Sequence, residues 1–257
     1  MDNVNKICWN LTSRCNLSCE FCYANKKVLE GSLGKQKEIV SRLYNEGVRK
    51  ICFTGGEPLL LEHLPLLLKF AKETGFFVNL STNAVLLDEK IISEIADFVD
   101  LVSLPLDSLK EDVIYSMRGC SGYLKQFSDV LENLKKLDIP VTVFTFVNPL
   151  NKGELREIFG FLKNFDNVES WKVSNYYPVE NCFDKFVLSD EKYDKIVDEL
   201  KEWKANFDIV TRVKNEDYQE KYFLMDPVGN IYTTTHHRHK VLGDIMKEPL
   251  SEIVKRA

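Results

Sequence analysis

Residues 12 to 23 read Thr-Ser-Arg-Cys-Asn-Leu-Ser-Cys-Glu-Phe-Cys-Tyr, which gathers three of the seven cysteines into one short loop. The spacing is Cys15-x3-Cys19-x2-Cys22. Three thiolates on such a loop can wrap three irons of a cubane cluster. That cluster normally takes four cysteine ligands, so one iron is left open. An open metal position implies chemistry rather than scaffolding, by the logic that separates catalytic from structural zinc sites. Two other readings stand beside this one. A zinc knuckle would want a fourth Cys or His nearby, and the nearest histidine is His63, far along the chain. Disulfide pairing sits poorly with an odd count and with a chain that reads as intracellular.

A chain of 257 residues is the size of one α/β barrel, and 44% hydrophobic residues suffice for a substantial core. A net charge of −5 gives no general reason to expect a nucleic acid or an anionic membrane as partner, so any basic site must be local. The start, Met-Asp-Asn-Val-Asn-Lys, is not a charged and apolar signal region, and no apolar run nears a membrane span. The expected location is the cytoplasm, whose reducing conditions an exposed cluster also requires.

Residues 6 to 11 form a short apolar run suited to a first buried strand, with Cys8 read as core. A helix is expected over 35 to 44, where Ile39, Val40, Leu43 and Tyr44 recur at helical spacing before Gly47. The strand 48 to 53 then runs into Thr54-Gly55-Gly56-Glu57-Pro58. Adjacent glycines let backbone approach a ligand closely, and Glu57 offers a carboxylate to an amino group. Taken alone, the same residues make an ordinary turn.

Together the cysteine loop and Gly-Gly-Glu-Pro, one strand-helix unit apart, resemble the radical S-adenosylmethionine (SAM) superfamily. The resemblance implies a [4Fe-4S] cluster on Cys15, Cys19 and Cys22. It also implies that the open iron chelates SAM and that an electron from the cluster cleaves it to methionine and a 5′-deoxyadenosyl radical. Tyr23, Gly55, Gly56, Glu57 and Pro58 are the implied contacts around the cluster and the amino end of SAM.

Strand and helix then alternate. Helix 61 to 73 buries Leu64, Leu67, Leu68 and Ala71; strand 76 to 80 leads to Ser81-Thr82-Asn83; helix 88 to 97 carries Ile91, Ile92, Ile95 and Ala96. Strand 99 to 104 leads to Pro105-Leu106-Asp107-Ser108, and Met117-Arg118-Gly119 precedes an amphipathic helix over 121 to 137. Strand 141 to 147, closed by Asn148-Pro149, helix 152 to 164 and strand 168 to 174 complete six units. The rim residues suit loop chemistry and helix capping, and Arg118 suits a solvated surface. By resemblance, Ser81, Asn83 and Asp107 hold the ribose and methionine of SAM, Arg118 pairs with its carboxylate, and Asn148 lines the same cofactor. The fold class expected is α/β: a partial (β/α)6 radical SAM barrel over 1–178, with a C-terminal helix and β-hairpin extension over 179–257 covering the barrel mouth as part of the same structural unit.

In that extension Ser189-Asp190-Glu191 caps a helix bearing Tyr193, Ile196, Val197, Leu200 and Trp203. Segments 222–225 and 230–233 flank Asp226-Pro227-Val228-Gly229 as a hairpin. The stretch Thr235 to Lys240 holds three of the four histidines and reads as a solvated loop, a clamp on a substrate phosphate or carboxylate, or a metal site.

Several segments resemble the viperin-like family more closely: Cys22-Tyr-Ala-Asn-Lys-Lys27, Ser170-Trp171-Lys172-Val173, Phe186 to Glu191, Asn215 with Tyr222, and Leu242-Gly-Asp-Ile245. The resemblance covers nearly the whole chain. It implies a nucleoside triphosphate substrate that loses a ribose 4′ hydrogen and then water, giving a 3′-deoxy-3′,4′-didehydro nucleotide. Lys27, Lys172, Tyr222, Arg238 and Lys240 are the implied substrate contacts, the cations neutralising the phosphates. A flavodoxin or ferredoxin is the implied electron donor. One departure stands out: Thr142-Val143-Phe144 replaces a Lys-Ile-Asn segment of that family, which argues for a different or less charged substrate. Two competing functions are modification of a peptide or small metabolite, and a binding module that keeps SAM or a nucleotide without turnover. An auxiliary cluster would have to draw on Cys8, Cys52, Cys120 and Cys182, which are scattered in sequence.

Overall fold

The computed structural model describes residues 4–22, 30–176, 178, 184–212, 223–235 and 238–257. Seven parallel strands run side by side in chain order: β1 (Lys6–Asn10), β2 (Lys50–Thr54), β3 (Phe77–Ser81), β4 (Leu101–Pro105), β5 (Val141–Val147), β6 (Val168–Asn175) and β7 (Asp208–Arg212). Between them come α1 (Leu33–Asn45), α2 (Leu64–Thr74), α3 (Glu89–Ile95), α4 (Glu111–Arg118), α5 (Tyr123–Lys135), α6 (Leu155–Leu162) and α7 (Asp190–Lys201). Parallel strands need crossovers, and crossovers are right-handed, so strands laid down in strict sequence put their helices on one face. That is the winding of a partial barrel, as the alternating pattern of the sequence foretold.

Alternation along each strand sorts the two faces. Ile7, Trp9, Ile51, Phe53, Val78, Leu80, Val102, Leu104, Val143, Trp171 and Val173 point toward the helices and are buried in one cluster with Ile39, Leu43, Leu67, Leu68, Ile92, Phe127, Leu131, Ile158 and Leu162. Their neighbours one residue away point to the inner face, and many of these are polar: Cys8, Asn10, Cys52, Asn79, Ser81, Ser103, Thr142 and Lys172. Cys8 therefore lies half-buried on the inner face, not in the core, because Ile7 and Trp9 on either side of it take the core positions.

Residues after 178 extend both edges of this sheet. Strand β7 pairs with β6, while β8 (Leu224–Met225) pairs in parallel with β1 and in antiparallel fashion with β9 (Asn230–Thr235). An outer strand, β10 (Arg238–Asp244), completes a ten-stranded sheet, and a final helix covers Leu250–Ile253. Three elements go beyond the sequence reading. Helix α4 is short and charged, β7 has only Ile209, Val210 and Thr211 as strand formers, and β10 begins with Arg-His-Lys, which reads as loop until β9 supplies its partner.

Phe53 is fully buried with its ring centroid 5.9 Å from that of Trp9. Phe53→Ala is expected to cost about 3–5 kcal/mol, measured as a lower urea midpoint at unchanged m-value.

Candidate active site

The cysteine loop leaves β1 and is held at once by the next strand's exit. Leu11 N–H donates to Thr54 O at 2.8 Å, Gly56 N–H to Thr12 O at 2.7 Å and Glu57 N–H to Arg14 O at 2.8 Å. Both glycines are needed for this approach. A Cβ on Gly55, whose φ is +151°, would stand 2.6 Å from Thr12 O, and one on Gly56 would stand 2.0 Å from Arg14 O. On the side where a Cβ would stand, the close neighbour of both glycines is the cysteine loop's own backbone. The far end of the loop is tied in as well, because Thr12 Oγ1 donates to Glu30 Oε1 at 2.6 Å and Arg14 pairs with the same carboxylate.

Within the loop Cys15 and Cys22 are exposed and Cys19 is half-buried. The Cys15 sulfur accepts from Leu17 N–H at 3.4 Å and from Asn83 Nδ2 at 3.8 Å. Beneath Cys19, Phe21 packs with Met117, Tyr176 and Phe186, and Glu20 N–H donates to Met117 O at 3.0 Å. Burial pushes the Cys19 thiol up to about 11, against the pull of the Arg118 guanidinium, and the neighbouring Cys22 and Cys15 raise it further. Burial likewise raises Cys15.

The three sulfurs are thus electrostatic neighbours, yet among the described residues no three Cys, His, Asp or Glu side chains converge as a single-ion site would require. A cubane takes one thiolate per iron, and three thiols spaced on one loop fit that requirement. Assembly must expel the thiol protons, which couples metal binding to proton release.

Glu57 is fully buried. Its carboxylate accepts from Leu59 N–H at 3.1 Å, Thr82 Oγ1 at 2.7 Å and Asn83 N–H at 2.8 Å, tying the Gly55–Pro58 turn to the end of β3. Burial raises its pKa, and these three hydrogen bonds oppose the shift. Pro58 is buried at the start of a short 3-10 turn. Ser81 is half-buried at the inner end of β3, and Asn83 Nδ2 donates to Asn16 Oδ1 at 2.7 Å, so Asn83 lies directly against the cysteine loop.

Asp107 and Arg118 were read separately as SAM contacts; the structure pairs them with each other. Arg118 Nε donates to Asp107 Oδ2 at 2.9 Å, Nη2 donates to the same oxygen, and the two residues are 5% and 1% exposed. Phe146 N–H donates to the other carboxylate oxygen at 2.9 Å. Burial works against the Arg118 charge, and Asp107 outweighs it, so the guanidinium pKa rises. The Arg118 guanidinium carbon also lies 5.2 Å from the Phe21 ring centroid, which places this ion pair under Cys19. Asn148 is buried in a turn of its own making: its Oδ1 accepts from Leu150 N–H at 2.9 Å and its Nδ2 donates to Phe146 O at 3.1 Å. Asn151 completes the knot by donating to Asp107 O at 2.7 Å and to Phe146 O at 2.8 Å.

Lys172 stands on the inner face of β6 with its Nζ 5.1 Å from the Phe144 ring centroid. Arg238 and Lys240 lie elsewhere, on β10, three strands out from β1 at about 5 Å per strand. Lys240 Nζ donates to Arg256 O near the terminal helix. Tyr23, Lys27 and Tyr222, with Cys182, Asn215, His236 and His237, lie outside the described residues. The sequence reading missed Thr12, Thr82, Asn151 and Tyr232, whose hydroxyl accepts from Asn10 Nδ2 at the inner end of β1. Thr82 stood between two named residues, and Asn151 follows Asn148 at turn spacing; Tyr232 carried no local signal.

Residues 9–162 match the family model described as Radical SAM superfamily, which is more than half of the chain. This chain belongs to the radical SAM superfamily. Members are enzymes that use a [4Fe-4S] cluster and SAM. The radical SAM chain is 26% identical, over 99% of its own length and 56% of the relative's, to an S-adenosylmethionine-dependent nucleotide dehydratase from Lacinutrix mariniflava. It thus spans little more than half of that protein. A Flammeovirga pacifica protein of the same description is 24% identical over 93% of this chain and 86% of its own length. In fold the chain is similar to Streptococcus suis SuiB bound to S-adenosylmethionine, with a TM-score of 0.74 at 16% identity over 88% of this chain and 59% of that one.

Gly56→Ala is expected to displace the cysteine loop and to cut the iron and sulfide retained after anaerobic reconstitution, with the far-UV spectrum unchanged. Arg118→Ala leaves the buried Asp107 carboxylate unpaired and is expected to cost about 3–5 kcal/mol, measured by urea unfolding.

Proposed function

We propose that this chain is a nucleotide dehydratase in which Cys15, Cys19 and Cys22 hold the [4Fe-4S] cluster. The observation that carries the reading is that relatives described as S-adenosylmethionine-dependent nucleotide dehydratases match it over 93% and 99% of its length. When bound, the cluster supplies the electron that splits SAM into methionine and a 5′-deoxyadenosyl radical, which takes a hydrogen atom from the substrate.

The chain's own residues orient the reactants and exclude water. Ser81 and Asn83, beside Cys15, and the Gly55–Pro58 turn line the SAM position. The Asp107–Arg118 pair, with Asn148 and Asn151 behind it, fixes the floor beneath Cys19. The substrate lies against the inner face, where Lys172 meets a phosphate and the Phe144 ring gives a flat apolar surface. Thr142 and Ser170, whose hydroxyl oxygens are 2.9 Å apart, offer neutral hydrogen bonds where the viperin-like family carries a cation. The substrate is a nucleoside triphosphate that is held by fewer cations on β5 than in that family. Residues 179–257 act as one functional unit with the barrel, and Tyr23, Lys27, Tyr222, Arg238 and Lys240 are the further residues assigned to the substrate. No helix among the described residues is long and apolar enough to cross a membrane. The enzyme works in the cytoplasm with a flavodoxin or ferredoxin as electron donor.

The test is anaerobic turnover of reconstituted, reduced protein with SAM and each nucleoside triphosphate in turn. The expected result is 5′-deoxyadenosine rising with one nucleotide, together with a product lighter by one water. Cys19→Ala should abolish SAM cleavage, and Lys172→Ala should raise KM for the nucleotide by roughly tenfold or more, the worth of one charge-assisted hydrogen bond. A slow background of 5′-deoxyadenosine with every nucleotide would move the substrate to peptides or other metabolites.

A further inference from the structure

Cys8 and Cys52 are 44 positions apart in sequence and directly opposed in the sheet, as register partners on β1 and β2. Neighbouring strands lie about 4.8 Å apart, inside the Cα separations that a disulfide spans. Both side chains face inward, since Ile7, Trp9, Ile51 and Phe53 on either side of them fill the core. Two residues further along each strand stand Asn10 and Thr54, where the cysteine loop and the Gly55–Pro58 turn begin, so the thiols sit about 7 Å below the rim.

Their surroundings are built rather than incidental. Asn79 Nδ2 donates to the Cys52 sulfur at 3.5 Å, and Ser103 Oγ in turn donates to Asn79 Oδ1 at 3.0 Å, fixing the amide. Cys52 is 7% exposed, whereas Cys8 is half-buried and reaches the inner surface. A hydrogen bond to Cys8 first, and burial second, keep Cys52 protonated, while Lys6 and Lys172 pull the other way. This places the dithiol within electrostatic reach of Lys172, the residue assigned above to the substrate.

A radical dehydration needs one electron and one proton after the hydrogen atom has been taken. The substrate radical loses its 3′ hydroxyl, the hydroxyl leaves as water, and the ring that remains is one electron short. The S–H bond is among the weakest bonds to hydrogen that protein side chains offer, so a thiol on the inner face can supply both. We propose that Cys8, backed by Cys52, is the one-electron and proton donor that closes the reaction.

This inference rests on the nucleotide dehydratase reading. The ribose C3′–O bond breaks and the C3′–C4′ double bond forms. The hydroxyl takes the Cys8 proton and departs as water, the electron fills the ring, and Cys8 is left as a thiyl radical. The thiyl joins the Cys52 sulfur as a disulfide radical anion while the Cys52 proton leaves to solvent. With reductant in excess, the low-potential one-electron carrier and solvent protons return the pair to the dithiol. With reductant limiting, the radical anion passes its electron to the oxidised carrier and a Cys8–Cys52 disulfide remains.

The experiment measures product formed per 5′-deoxyadenosine in reconstituted wild-type, Cys8→Ser and Cys8→Ala proteins. Alongside it, wild-type protein is quenched with an alkylating agent after turnover with limiting reduced viologen, and its peptides are mapped. A serine hydroxyl keeps the hydrogen bond and cannot give up its hydrogen as a thiol does. Cys8→Ser is therefore expected to lower the ratio as far as Cys8→Ala, by about tenfold or more. The wild-type map should show a Cys8–Cys52 disulfide rising with product. A Cys8→Ser ratio equal to wild type, or product without the disulfide, overturns the proposal while leaving the dehydratase reading in place. Should the serine variant lose its iron, the wild-type map alone decides. Absence of a dehydrated nucleotide from wild-type protein overturns both.

Discussion

Two backbone hydrogen bonds, Gly56 N–H to Thr12 O and Glu57 N–H to Arg14 O, fix the cysteine loop to the exit of the neighbouring strand. A loop that carries three thiols within eight residues is costly to order, since each freely rotating residue costs about 1–2 kcal/mol to fix. Here the cost is offset by clamping the loop at its first residues and, through Glu30, near its far end. The clamp works only because Gly55 and Gly56 carry no Cβ. Glu57 continues the same chain of contacts into Thr82 and Asn83, and Asn83 returns to Cys15 and Asn16. The motif is therefore one connected object: two loops that hold each other, with the cysteines on the exposed side.

The second organising feature is the unequal character of the sheet's two faces. One face is a continuous apolar surface beneath the helices and supplies the stability. The other carries thiols, amides, hydroxyls and a lysine across β1 to β6, several of them hydrogen-bonded to one another: Asn79 to Cys52, Ser103 to Asn79, and Thr142 with Ser170. Buried polar groups persist in a fold when they are paired, and pairing across strands keeps this face polar yet ordered. Chemistry on a reactive radical favours an ordered surface of this kind over a fully hydrated one.

Charge is handled by the same rule. Glu57 is buried with three donors, and Arg118 is buried against Asp107, whose second oxygen is taken by a backbone N–H. A buried pair of this kind is weak evidence for added stability, because desolvation offsets most of the attraction. Its consequence lies in position: it sets the Arg118 charge near Cys19, the most buried of the three thiols, where it pulls against the effect of burial.

The cysteine spacing, the Gly-Gly-Glu-Pro turn and the strand-helix alternation were legible in the sequence, because each is a local pattern whose geometry follows from a few neighbouring residues. Strand β5 has the same bounds in both readings, since Val141 to Val147 is an unbroken β-branched and aromatic run. The sequence also placed Ser81 and Asn83 on the rim that carries the cysteines, because every loop after a parallel strand opens on one side. Partner choice was decided only by the tertiary structure. Nothing local tells Asp107 that its counterion is Arg118, tells Cys8 that Cys52 lies beside it, or tells Arg238 to Asp244 that Asn230 to Thr235 will make them a strand. Those pairings depend on sheet register and on which residues the core claims first: Ile7 and Trp9 enter the core, and that burial turns Cys8 to the inner face.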